Sequence, residues 1–415
     1  MTTPIVVVGA GLAGLAAALR LAEAGRAVHL LEQSDGVGGR VRTDAHEGFL
    51  LDRGFQVLLD AYPEARAQFN YEALKLEPFF PGALVRSRGA FHAVADPFRA
   101  PLAALASLAS PIGTLADKLR VLVLRQRACR GTLAELFARP ERSTREALRA
   151  LGFSSAMITR FFEPFLGGIF LGRDLQTSSR MLEFVFRMMA EGGTSLPARG
   201  MGALSAQLAD RLPPGTLRLG ARVVELDDQS VRLDDGSRID AAAVIVATEG
   251  DVASRLLRGI IPVPESRSCT TVYFDAPRSP VRARRLVLNA DGGRINSLAV
   301  PSDLSPTYAP AGRALVSVTL LELPSEGDAA LAALVQSELA TWFGRAEVEA
   351  WRPLRVYRIR WGQPEQRPPA LEPVARPTQL GPTLFVAGDH RETASIHGAL
   401  VSGRRAADAV LAVSA

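Results

Sequence analysis

Residues 5–42 read IVVVGAGLAGLAAALRLAEAGRAVHLLEQSDGVGGRVR and predict the fold of the chain. The apolar, β-branched run at 5–8 is typical of a buried parallel strand. Three glycines of a Gly-x-Gly-x-x-Gly turn follow it: Gly9, Gly11 and Gly14. In such a turn the first glycine allows the tight bend, the second lets the backbone approach a pyrophosphate, and the third lets the next helix pack closely. With a helix expected at about 12–24 and a strand at 28–31, this order predicts a βαβ dinucleotide-binding unit.

A carboxylate and a second glycine turn continue this pattern. Glu32 lies eighteen residues after Gly14, where an acidic side chain binds a ribose hydroxyl and disfavours a 2′-phosphate. Gly38, Gly39 and Arg40 offer another close backbone approach and a guanidinium for a phosphate, with a solvated arginine in a surface turn as the alternative. The order resembles the Gly-Gly-Arg signature of flavin-containing amine oxidases, protoporphyrinogen oxidases and phytoene desaturases, and this resemblance implies FAD.

The C-terminal part of the chain supplies a second flavin motif. Residues 384–389 read LFVAGD, a short apolar strand that ends in Gly388 and Asp389, and a helix is expected to begin near Ser395. The stretch resembles the C-terminal motif of the same families, which implies that Asp389 binds the ribityl chain or pyrophosphate and that the helix start faces the pyrimidine end of the flavin. A helix N-terminus there favours a reduced, anionic ring by about 0.3–2 kcal/mol, which tunes the flavin potential. His397 stands where relatives commonly carry Asn, with a structural histidine as the alternative.

Two further segments are expected to contact the cofactor. Residues 49–56 predict a strand that ends in a turn, and the resemblance places this turn beside the flavin ring, so that Gln56 is either a ring contact or an ordinary turn residue. In related folds the backbone of a valine in a β-meander holds the adenine, and Val224 is the matching position, with Val223 as the alternative. The residues expected to bind FAD are Gly9, Gly11, Leu12, Ala13, Gly14, Glu32, Gln33, Gly39, Arg40, Gly54, Phe55, Gln56, Val224, Gly388, Asp389, Ser395, Ile396 and His397.

The composition is that of an ordinary globular protein. The 415 residues are 47% apolar and 6% aromatic, enough for two domains with substantial cores. The net charge of +5 is carried by scattered arginines, since lysine occurs only at Lys75 and Lys118, and this disfavours nucleic-acid binding. The basic cluster at 278–285 reads as a solvated face, with anionic lipid or an acidic partner as the alternative. Cys129 and Cys269 stand far apart, which indicates neither a disulfide framework nor a metal site.

The same sequence predicts a cytoplasmic location. The N-terminus lacks the basic region of a signal peptide, and no segment reaches eighteen uninterrupted apolar residues, so we expect neither a leader nor a transmembrane span. The stretches Leu102–Leu108 and Leu119–Leu124 are apolar enough to touch a membrane surface, although core helices are the ordinary interpretation. Peripheral membrane association therefore stays open.

The order of segments predicts an α/β protein, namely a two-dinucleotide-binding-type (Rossmann-like) FAD domain with an interleaved α+β substrate domain. The expected FAD domain comprises 1–77, 197–262 and 375–415, and the expected substrate domain comprises 78–196 and 263–374. The first substrate segment lacks the strand and glycine-turn pattern of a Rossmann-like unit and predicts a mainly helical insertion. The second predicts another sheet, followed by a Pro- and Gly-rich loop at 361–382.

The segment 153–186 is rich in phenylalanine. Its seven phenylalanines are Phe153, Phe161, Phe162, Phe165, Phe170, Phe184 and Phe186. The part at 161–170 resembles the apolar stretch that lines the substrate cavity of desaturases and protoporphyrinogen oxidases. Core packing is the alternative, because aromatic side chains dominate cores as well as pockets.

The resemblance implies an FAD-dependent oxidoreductase that takes a hydride at flavin N5 from a large apolar substrate. A carotenoid-type polyisoprenoid or a porphyrinogen suits the Phe-rich segment, and the electron acceptor is left open. No cysteine lies near the C-terminal motif, so we expect the FAD to be non-covalent. His390 and Arg391, with the neighbouring Glu392, are candidates for a catalytic role or, equally, for loop residues that shape the flavin pocket.

Two other classes of protein stay open. Amine oxidases of this fold resemble one another in a lysine of the second sheet and in an aromatic pair, but no lysine follows Cys269 here. Tyr273, Tyr357 and Trp361 are aromatic candidates, although the Trp-Gly-Gln-Pro stretch at 361–364 is more similar to the Pro-containing loop of desaturases. The other class is non-redox: a flavin isomerase, or a prenyl-binding protein similar to the Rab-escort proteins. The intact flavin motifs disfavour a prenyl-binding protein that lacks flavin.

Overall fold

Strands and helices alternate along the chain. A computed structural model describes residues 3–108, 110–227 and 229–413, without the side chains at positions 105, 106 and 108. The strands in these described residues are β1 (Ile5–Val8), β2 (Val28–Leu31), β3 (Thr43–His46), β4 (Phe49–Asp52), β5 (Leu58–Leu59), β6 (Leu76–Pro78), β7 (Gly82–Ser87), β8 (Ala90–Ala95), β9 (Thr194–Pro197), β10 (Leu217–Arg218), β11 (Val223–Asp227), β12 (Ser230–Leu233), β13 (Arg238–Asp240), β14 (Ala243–Val246), β15 (Ser266–Ala276), β16 (Leu286–Asn289), β17 (Ile295–Ala299), β18 (Ala314–Leu320), β19 (Arg352–Pro364) and β20 (Leu384–Val386).

The helices follow the same numbering. They are α1 (Leu12–Glu23), α2 (Pro63–Gln68), α3 (Tyr71–Leu74), α4 (Pro101–Leu108), α5 (Leu115–Cys129), α6 (Leu133–Phe137), α7 (Thr144–Ala150), α8 (Ser155–Met157), α9 (Glu163–Phe170), α10 (Ser179–Glu191), α11 (Gly202–Ala209), α12 (Gly250–Leu256), α13 (Pro301–Leu304), α14 (Asp328–Phe343), α15 (Arg345–Val348) and α16 (Ile396–Val413). A π-helical turn lies at Ile158–Phe162, and 3₁₀ turns lie at Pro306–Tyr308 and Asp389–Arg391. Within the described chain, no helix is long and apolar enough to cross a membrane.

The central sheet is parallel and uses strands from both ends of the chain. Its order is β10-β2-β1-β14-β20, and every neighbouring pair is parallel. All four residues of β1 are buried, as expected for a β-branched strand in the middle of a sheet covered on both faces. Between β10 and β14 the chain forms the predicted antiparallel meander, β11-β12-β13. The predicted α/β, Rossmann-like fold class is confirmed.

The first and last long helices pack directly against each other. At the crossing of α1 and α16, a Cβ on Gly403 would lie 2.1 Å from the carbonyl oxygen of Ala13. A side chain of any size would force the two helices apart, so glycine is required for this approach. The contact holds the C-terminal helix beside the glycine-rich turn.

A second, seven-stranded sheet has the order β19-β15-β18-β17-β16-β7-β8. Its longest pairing joins β15 to β19 and β18 in antiparallel register. β7 and β8 enter from far upstream, where β7 pairs in parallel with β16. The strands predicted for this second sheet are confirmed at β15, β18 and β19.

The β7–β8 hairpin corrects the prediction of a mainly helical segment from residue 78. Its two-residue turn is Arg88-Gly89, with positive φ angles of 54° and 76°. The backbone N–H groups of both residues donate to the carboxylate of Asp291, which holds the turn in the left-handed conformation. Arginine at the first turn position gives none of the Asn-Gly signal that marks such hairpins, and the stabilising carboxylate lies about two hundred residues downstream.

The predicted loop at 361–382 is also wrong in its first four residues. β19 continues to Pro364 and pairs with the start of β15, where Ser266 lies opposite Pro364 and Arg267 opposite Gln363. A proline at the end of an edge strand needs no ladder hydrogen bond of its own, so the strand tolerates it. The loop begins after this residue.

The helical prediction holds for residues 101–191, where α4 to α10 form a layer above the two sheets. Three of these helices begin with reciprocal capping boxes: Thr114 with Asp117, Thr132 with Glu135, and Ser143 with Glu146. Each box satisfies two backbone N–H groups at a helix start and stabilises it by about 1 kcal/mol. The sequence therefore specifies these starts locally.

Candidate functional site

A cavity of about 800 Å³ begins at the carboxyl ends of β1, β2, β14 and β20 and extends beneath α4, α5, α9 and α10. Ligands of open parallel sheets bind at this edge. The part next to the central sheet is lined by the glycine-rich turns and is called the cofactor end. The part beneath the helices is lined mainly by aliphatic and aromatic side chains and is called the apolar end.

The three glycines of the first turn have the separate roles expected of them. Gly9 has a φ of +100°, and a Cβ on Gly14 would lie 1.9 Å from the Gly9 carbonyl oxygen, so both positions require glycine. Gly11 lies in the cavity wall, and no heavy atom of the described chain lies within 4 Å of where its Cβ would be. This open space lets a pyrophosphate approach the backbone. Gly14 itself does not line the cavity and serves helix packing.

Glu32 lies at the carboxyl end of β2, in the cavity wall, and is 8% exposed. One carboxylate oxygen accepts the Ala10 N–H at 2.8 Å, and the other accepts the backbone N–H and the hydroxyl of Ser34 at 2.9 and 2.8 Å. The side chain is therefore held from both sides by the turns that surround it. This geometry fits an acidic residue that also binds the ribose of a dinucleotide.

Arg40 connects the two predicted halves of the site. Its guanidinium donates to Asp389 at 2.7 Å and to the Gly362 carbonyl at 2.9 Å, and Glu249 lies 4.0 Å away. Burial acts to lower the pKa of Arg40, but the charge and hydrogen bond of Asp389 outweigh it and raise the pKa above its ordinary value. Burial also raises the pKa of Glu249. The cofactor end thus holds a fixed cation between carboxylates, next to the glycine turns.

The turn after β4 is tied to the same arginine. Gln56 donates from Nε2 to the Arg40 carbonyl at 2.7 Å and to the Arg53 carbonyl at 3.3 Å. Gly54, with a φ of +88°, and Phe55 complete this part of the cavity wall. The amide of Gln56 therefore fixes the Gly-Gly-Arg turn, while the residue also faces the cavity.

The start of α16 closes the cofactor end. Ser395 acts as its N-cap, because its hydroxyl accepts the Gly398 N–H at 3.0 Å, and Ser395 and Ile396 line the cavity. Gly388 has a φ of +145° and donates its N–H to the Ser402 hydroxyl at 2.9 Å, which directs the chain from β20 into Asp389. A helix N-terminus at this place favours negative charge.

His397 takes the structural role that stood as the alternative. Its Nδ1 accepts the Glu64 N–H at 3.3 Å, and its ring stacks on Tyr62 and packs against Phe184. Burial lowers the pKa of His397 to about 4, so the ring is neutral at pH 7. The side chain does not line the cavity. His397 is therefore removed from the set of residues whose side chains face the cofactor.

The valine expected at the adenine end moves by one position. Val223 is buried and lines the cavity, whereas Val224 is 40% exposed and does not line it. β11 bulges between Val223 and Glu225, and this irregularity leaves Val224 without a partner in the strand pairing. Val223 replaces Val224 as the residue that faces the cofactor end.

The candidate catalytic residues His390 and Arg391 lie outside the cavity. His390 borders a smaller cavity of about 500 Å³, together with Glu265, Glu365 and Glu392, and burial lowers its pKa to about 4. Neither ring nitrogen of His390 has a hydrogen-bond partner in the described chain. Arg391 is buried and donates to the Pro377 carbonyl at 2.5 Å. These positions give neither residue access to a substrate in the main cavity.

The remaining predicted cofactor residues line the cavity together. They are Gly9, Gly11, Leu12, Ala13, Glu32, Gln33, Gly39, Arg40, Gly54, Phe55, Gln56, Gly388, Asp389, Ser395 and Ile396. Sequence reasoning missed Glu249, Gly362 and Tyr62, which line the same end. Glu249 lies three residues after the end of the buried strand β14, and a polar residue just past the carboxyl end of a central parallel strand is a signal that finds it.

The apolar end separates the seven phenylalanines into two groups. Phe161, Phe165, Phe170 and Phe186 line the cavity, whereas Phe153, Phe162 and Phe184 are buried in the core. Phe161 and Phe165 are four residues apart and stack with their ring centroids 5.2 Å apart. Cys269 belongs to the same wall, where burial raises the pKa of its thiol to about 11 and keeps it neutral.

Charged side chains line the far side of the apolar end, and each has a partner within the chain. Arg125 pairs with Asp96 at 3.3 Å, donates to the Ala190 carbonyl at 3.2 Å, and lies 4.2 Å from the Phe98 ring. Arg99 donates to the Gly192 carbonyl at 2.7 Å. Among the described residues, the side chains other than these and Lys118 that line the apolar end are uncharged. The cavity is suited to a long apolar molecule.

Comparison with known proteins agrees with this geometry. The profile of a family described as flavin containing amine oxidoreductase matches residues 12–411. The chain is 27% identical over 442 positions to a hydroxysqualene dehydroxylase from Rhodopseudomonas palustris, and the match covers 99% of both proteins. A stretch covering 15% of this chain and 12% of the other protein is 42% identical to a 4,4′-diaponeurosporene oxygenase from Staphylococcus aureus. The crystal structure of a putative protoporphyrinogen oxidase from Exiguobacterium sp. 255-15 has the same fold, with a TM-score of 0.76, 18% identity and 99% of each chain covered.

Proposed function

This chain belongs to the flavin containing amine oxidoreductase family and is an FAD-dependent oxidoreductase, and we propose that its substrate is a long apolar molecule of the polyisoprenoid class. In the proposed reaction the chain is dehydrogenated to a further double bond: one carbon would give up a hydride, which bound FAD would accept, and the adjacent carbon would give up a proton to water. The electrons then leave to an external acceptor such as a quinone or dioxygen.

The apolar end of the cavity carries this proposal. Its wall combines Phe161, Phe165, Phe170 and Phe186 with methionine, leucine, isoleucine and valine side chains. Apolar contact is roughly proportional to area and has no direction, so such a wall suits an extended hydrocarbon chain. A porphyrinogen carries carboxylates that need cationic partners, and the arginines at the far side already bond to groups of the chain.

The names of two relatives support the same class. The relative that matches this chain over its full length is named for hydroxysqualene, and the one that matches a short stretch is named for a diaponeurosporene. Both names denote long isoprenoid compounds. They support the substrate class and leave the individual substrate to experiment.

Amine oxidation has less support from the position of the aromatic residues. Tyr273 is 1% exposed and donates to the Asp52 carbonyl at 2.8 Å. Tyr357 donates to Asp44 at 2.8 Å. Neither tyrosine lines the cavity, nor does Trp361, so these three candidates form no aromatic pair around a bound amine.

FAD supplies the two-electron chemistry when it is bound. The residues present fit FAD. The open space beside Gly11 would admit the pyrophosphate, and Glu32 lies in the cavity wall where it would bind the ribose. Arg40 and Asp389 line the cavity between the glycine-rich turn and the start of α16. The phenylalanine wall orients the hydrocarbon and excludes water from the reacting carbon. This division of labour is the ordinary one for flavoenzymes, where the protein binds, orients and shields.

Anaerobic mixing of the purified flavoprotein with candidate substrates tests the proposal. A linear polyene precursor dispersed in detergent is expected to bleach the visible absorbance of the oxidised flavin, while a primary amine and a porphyrinogen leave it unchanged. In a second arm the flavin is first reduced with dithionite and then mixed with a hydroxylated isoprenoid. If the flavin is reoxidised in that arm and is not bleached in the first, the substrate class is supported, and the enzyme reduces its substrate instead of dehydrogenating it. Bleaching by the amine or the porphyrinogen alone contradicts the polyisoprenoid proposal.

A further inference from the structure

Large apolar side chains are exposed together on the outside of α4 and α5. Phe98, Leu102, Leu115, Leu119 and Val123 are 58%, 83%, 64%, 57% and 52% exposed, and these five residues are called the α4–α5 surface. On α5 the three apolar side chains are spaced by four residues and therefore share one helix face. Single exposed hydrophobic residues need no explanation, but a row of three on one helix face, with Phe98 held beside the same helix by Arg125, marks an interaction surface.

The α4–α5 surface borders the apolar end of the cavity. The adjoining side of α5 contributes Lys118, Leu122 and Arg125 to the cavity wall. Phe98 belongs to both, because it is exposed and also lines the cavity. A molecule held against this surface therefore lies next to the cavity opening.

The charge around the surface is positive. Residues 96–130 contain six arginine or lysine and two aspartate side chains, a net charge of +4, compared with +5 for the whole chain. Asp117 is fully buried and accepts hydrogen bonds from Ser154 and Thr114, and Asp96 is paired with Arg125. The two acidic groups are thus occupied within the chain. The exposed rim, which includes Arg99 and Arg130, presents cations to whatever covers the apolar residues.

We propose that the α4–α5 surface docks on an anionic lipid bilayer and that substrate enters the cavity from the acyl region, past Phe98. An apolar helix face with basic residues at its rim is the pattern of helices that lie in a membrane interface. Anionic headgroups complement the exposed Arg99 and Arg130 of this segment, whereas Arg127 is already paired with Glu183 of α10 at 2.7 Å. The second part rests on the proposed function, because a polyisoprenoid dissolves in the bilayer rather than in water.

Flotation of the holoenzyme with lipid vesicles tests the docking. We expect the protein to float with vesicles of mixed phosphatidylcholine and phosphatidylglycerol, and much less with phosphatidylcholine alone. The double variant Leu102→Gln/Leu119→Gln is expected to lower the partition coefficient about tenfold, because two apolar side chains no longer enter the interface. The matched control, Ile260→Gln/Leu334→Gln, changes two residues that are 59% and 47% exposed elsewhere and is expected to float like the wild type. Neither pair lines the cavity, so flavin content confirms that all variants are folded.

Three results would overturn the inference. The wild type does not float with anionic vesicles, the double variant floats as well as the wild type, or the wild type is a dimer in solution that the double variant alone dissociates. The last result assigns the surface to a second copy of the chain. Flotation needs no substrate, so the two proposals can fail separately. If a detergent-dispersed polyene bleaches the flavin but the protein does not float, only the docking is refuted. If the protein floats but the polyene does not bleach the flavin, only the proposed function is refuted.

Discussion

The guanidinium of Arg40 lies 2.7 Å from the carboxylate of Asp389, although 349 positions separate the two residues. Arg40 belongs to the Gly-Gly-Arg turn and Asp389 to the Gly-Asp motif after β20. The Asp389 side chain is 8% exposed and that of Arg40 27%. This ion pair joins the two halves of the cofactor site.

Arg40→Ala is expected to lower both flavin affinity and the stability of the apoprotein. Removing one partner of a buried pair costs about 3–5 kcal/mol, and the partial exposure of Arg40 reduces the expected loss to about 2 kcal/mol. Urea unfolding of the deflavinated protein measures it. The control is Arg20→Ala, which removes a partner of Asp408 at the same 2.7 Å but with side chains 45% and 38% exposed. There the expected loss is below about 1 kcal/mol, and equal losses in the two variants would contradict the role of Arg40.

Glu32→Ala is expected to weaken FAD binding about ten- to a hundredfold while the fold is kept. The variant removes the acceptor for the Ala10 and Ser34 N–H groups as well as the proposed ribose contact, and each unsatisfied buried donor costs about 1–3 kcal/mol. Flavin titration of the deflavinated protein measures the affinity. Glu32→Gln retains one acceptor oxygen and is expected to lie between the alanine variant and the wild type. Unchanged affinity in the alanine variant would refute the assignment.

Phe165→Ala and Phe162→Ala are expected to fail in different ways, although three positions separate them. Phe165 lines the cavity, so its loss lowers the rate of flavin reduction by the isoprenoid and leaves the melting temperature nearly unchanged. Phe162 is fully buried, and its loss costs about 3–5 kcal/mol of folding free energy. Thermal unfolding and stopped-flow reduction separate the two effects. Strong destabilisation of the Phe165 variant would show that this side chain belongs to the hydrophobic core and not to the substrate wall.

His390→Phe is expected to reduce the acid sensitivity of the fold. Burial lowers the pKa of His390 to about 4, below the ~6.5 of an unfolded histidine, so the unfolded chain takes up a proton that the folded chain refuses as the pH falls. Between pH 7 and pH 5 this proton uptake lowers the free energy of unfolding of the wild type by about 2 kcal/mol. The phenylalanine variant does not lose this stability. Urea unfolding at both pH values measures the difference.

The control for this variant is His29→Phe at an exposed position of β2, which should leave the acid sensitivity as it is. Flavin reduction by substrate is expected to be unchanged in His390→Phe, because the ring lies outside the cavity. A large loss of the reduction rate would restore His390 as a catalytic candidate.

The parts of the fold that depend on neighbouring residues could be predicted from the sequence. The roles of Gly9 and Gly14 follow from the turn that contains them, and the capping boxes follow from side chains three positions apart. The hairpin at Arg88-Gly89 could not be predicted in this way, since its turn is held by Asp291. Pairing partners that lie far along the chain leave no local signal.

In the candidate site, too, only the residues that are specified by local sequence could be predicted. Motif residues such as Glu32 and Asp389 were found because their spacing from a strand is fixed. The choice between Val223 and Val224 depends on a bulge in β11, whose position the sequence pattern does not predict.

The close packing of Gly403 on Ala13 has a consequence for how the flavoprotein is made. The two residues are 390 positions apart, so the glycine-rich turn emerges from the ribosome long before the helix that packs against it. During synthesis the first βαβ unit offers only an open half-site, and the nascent chain lacks Asp389 and the N-terminus of α16. The complete cofactor site therefore forms only after α16 has been synthesised and has packed against α1.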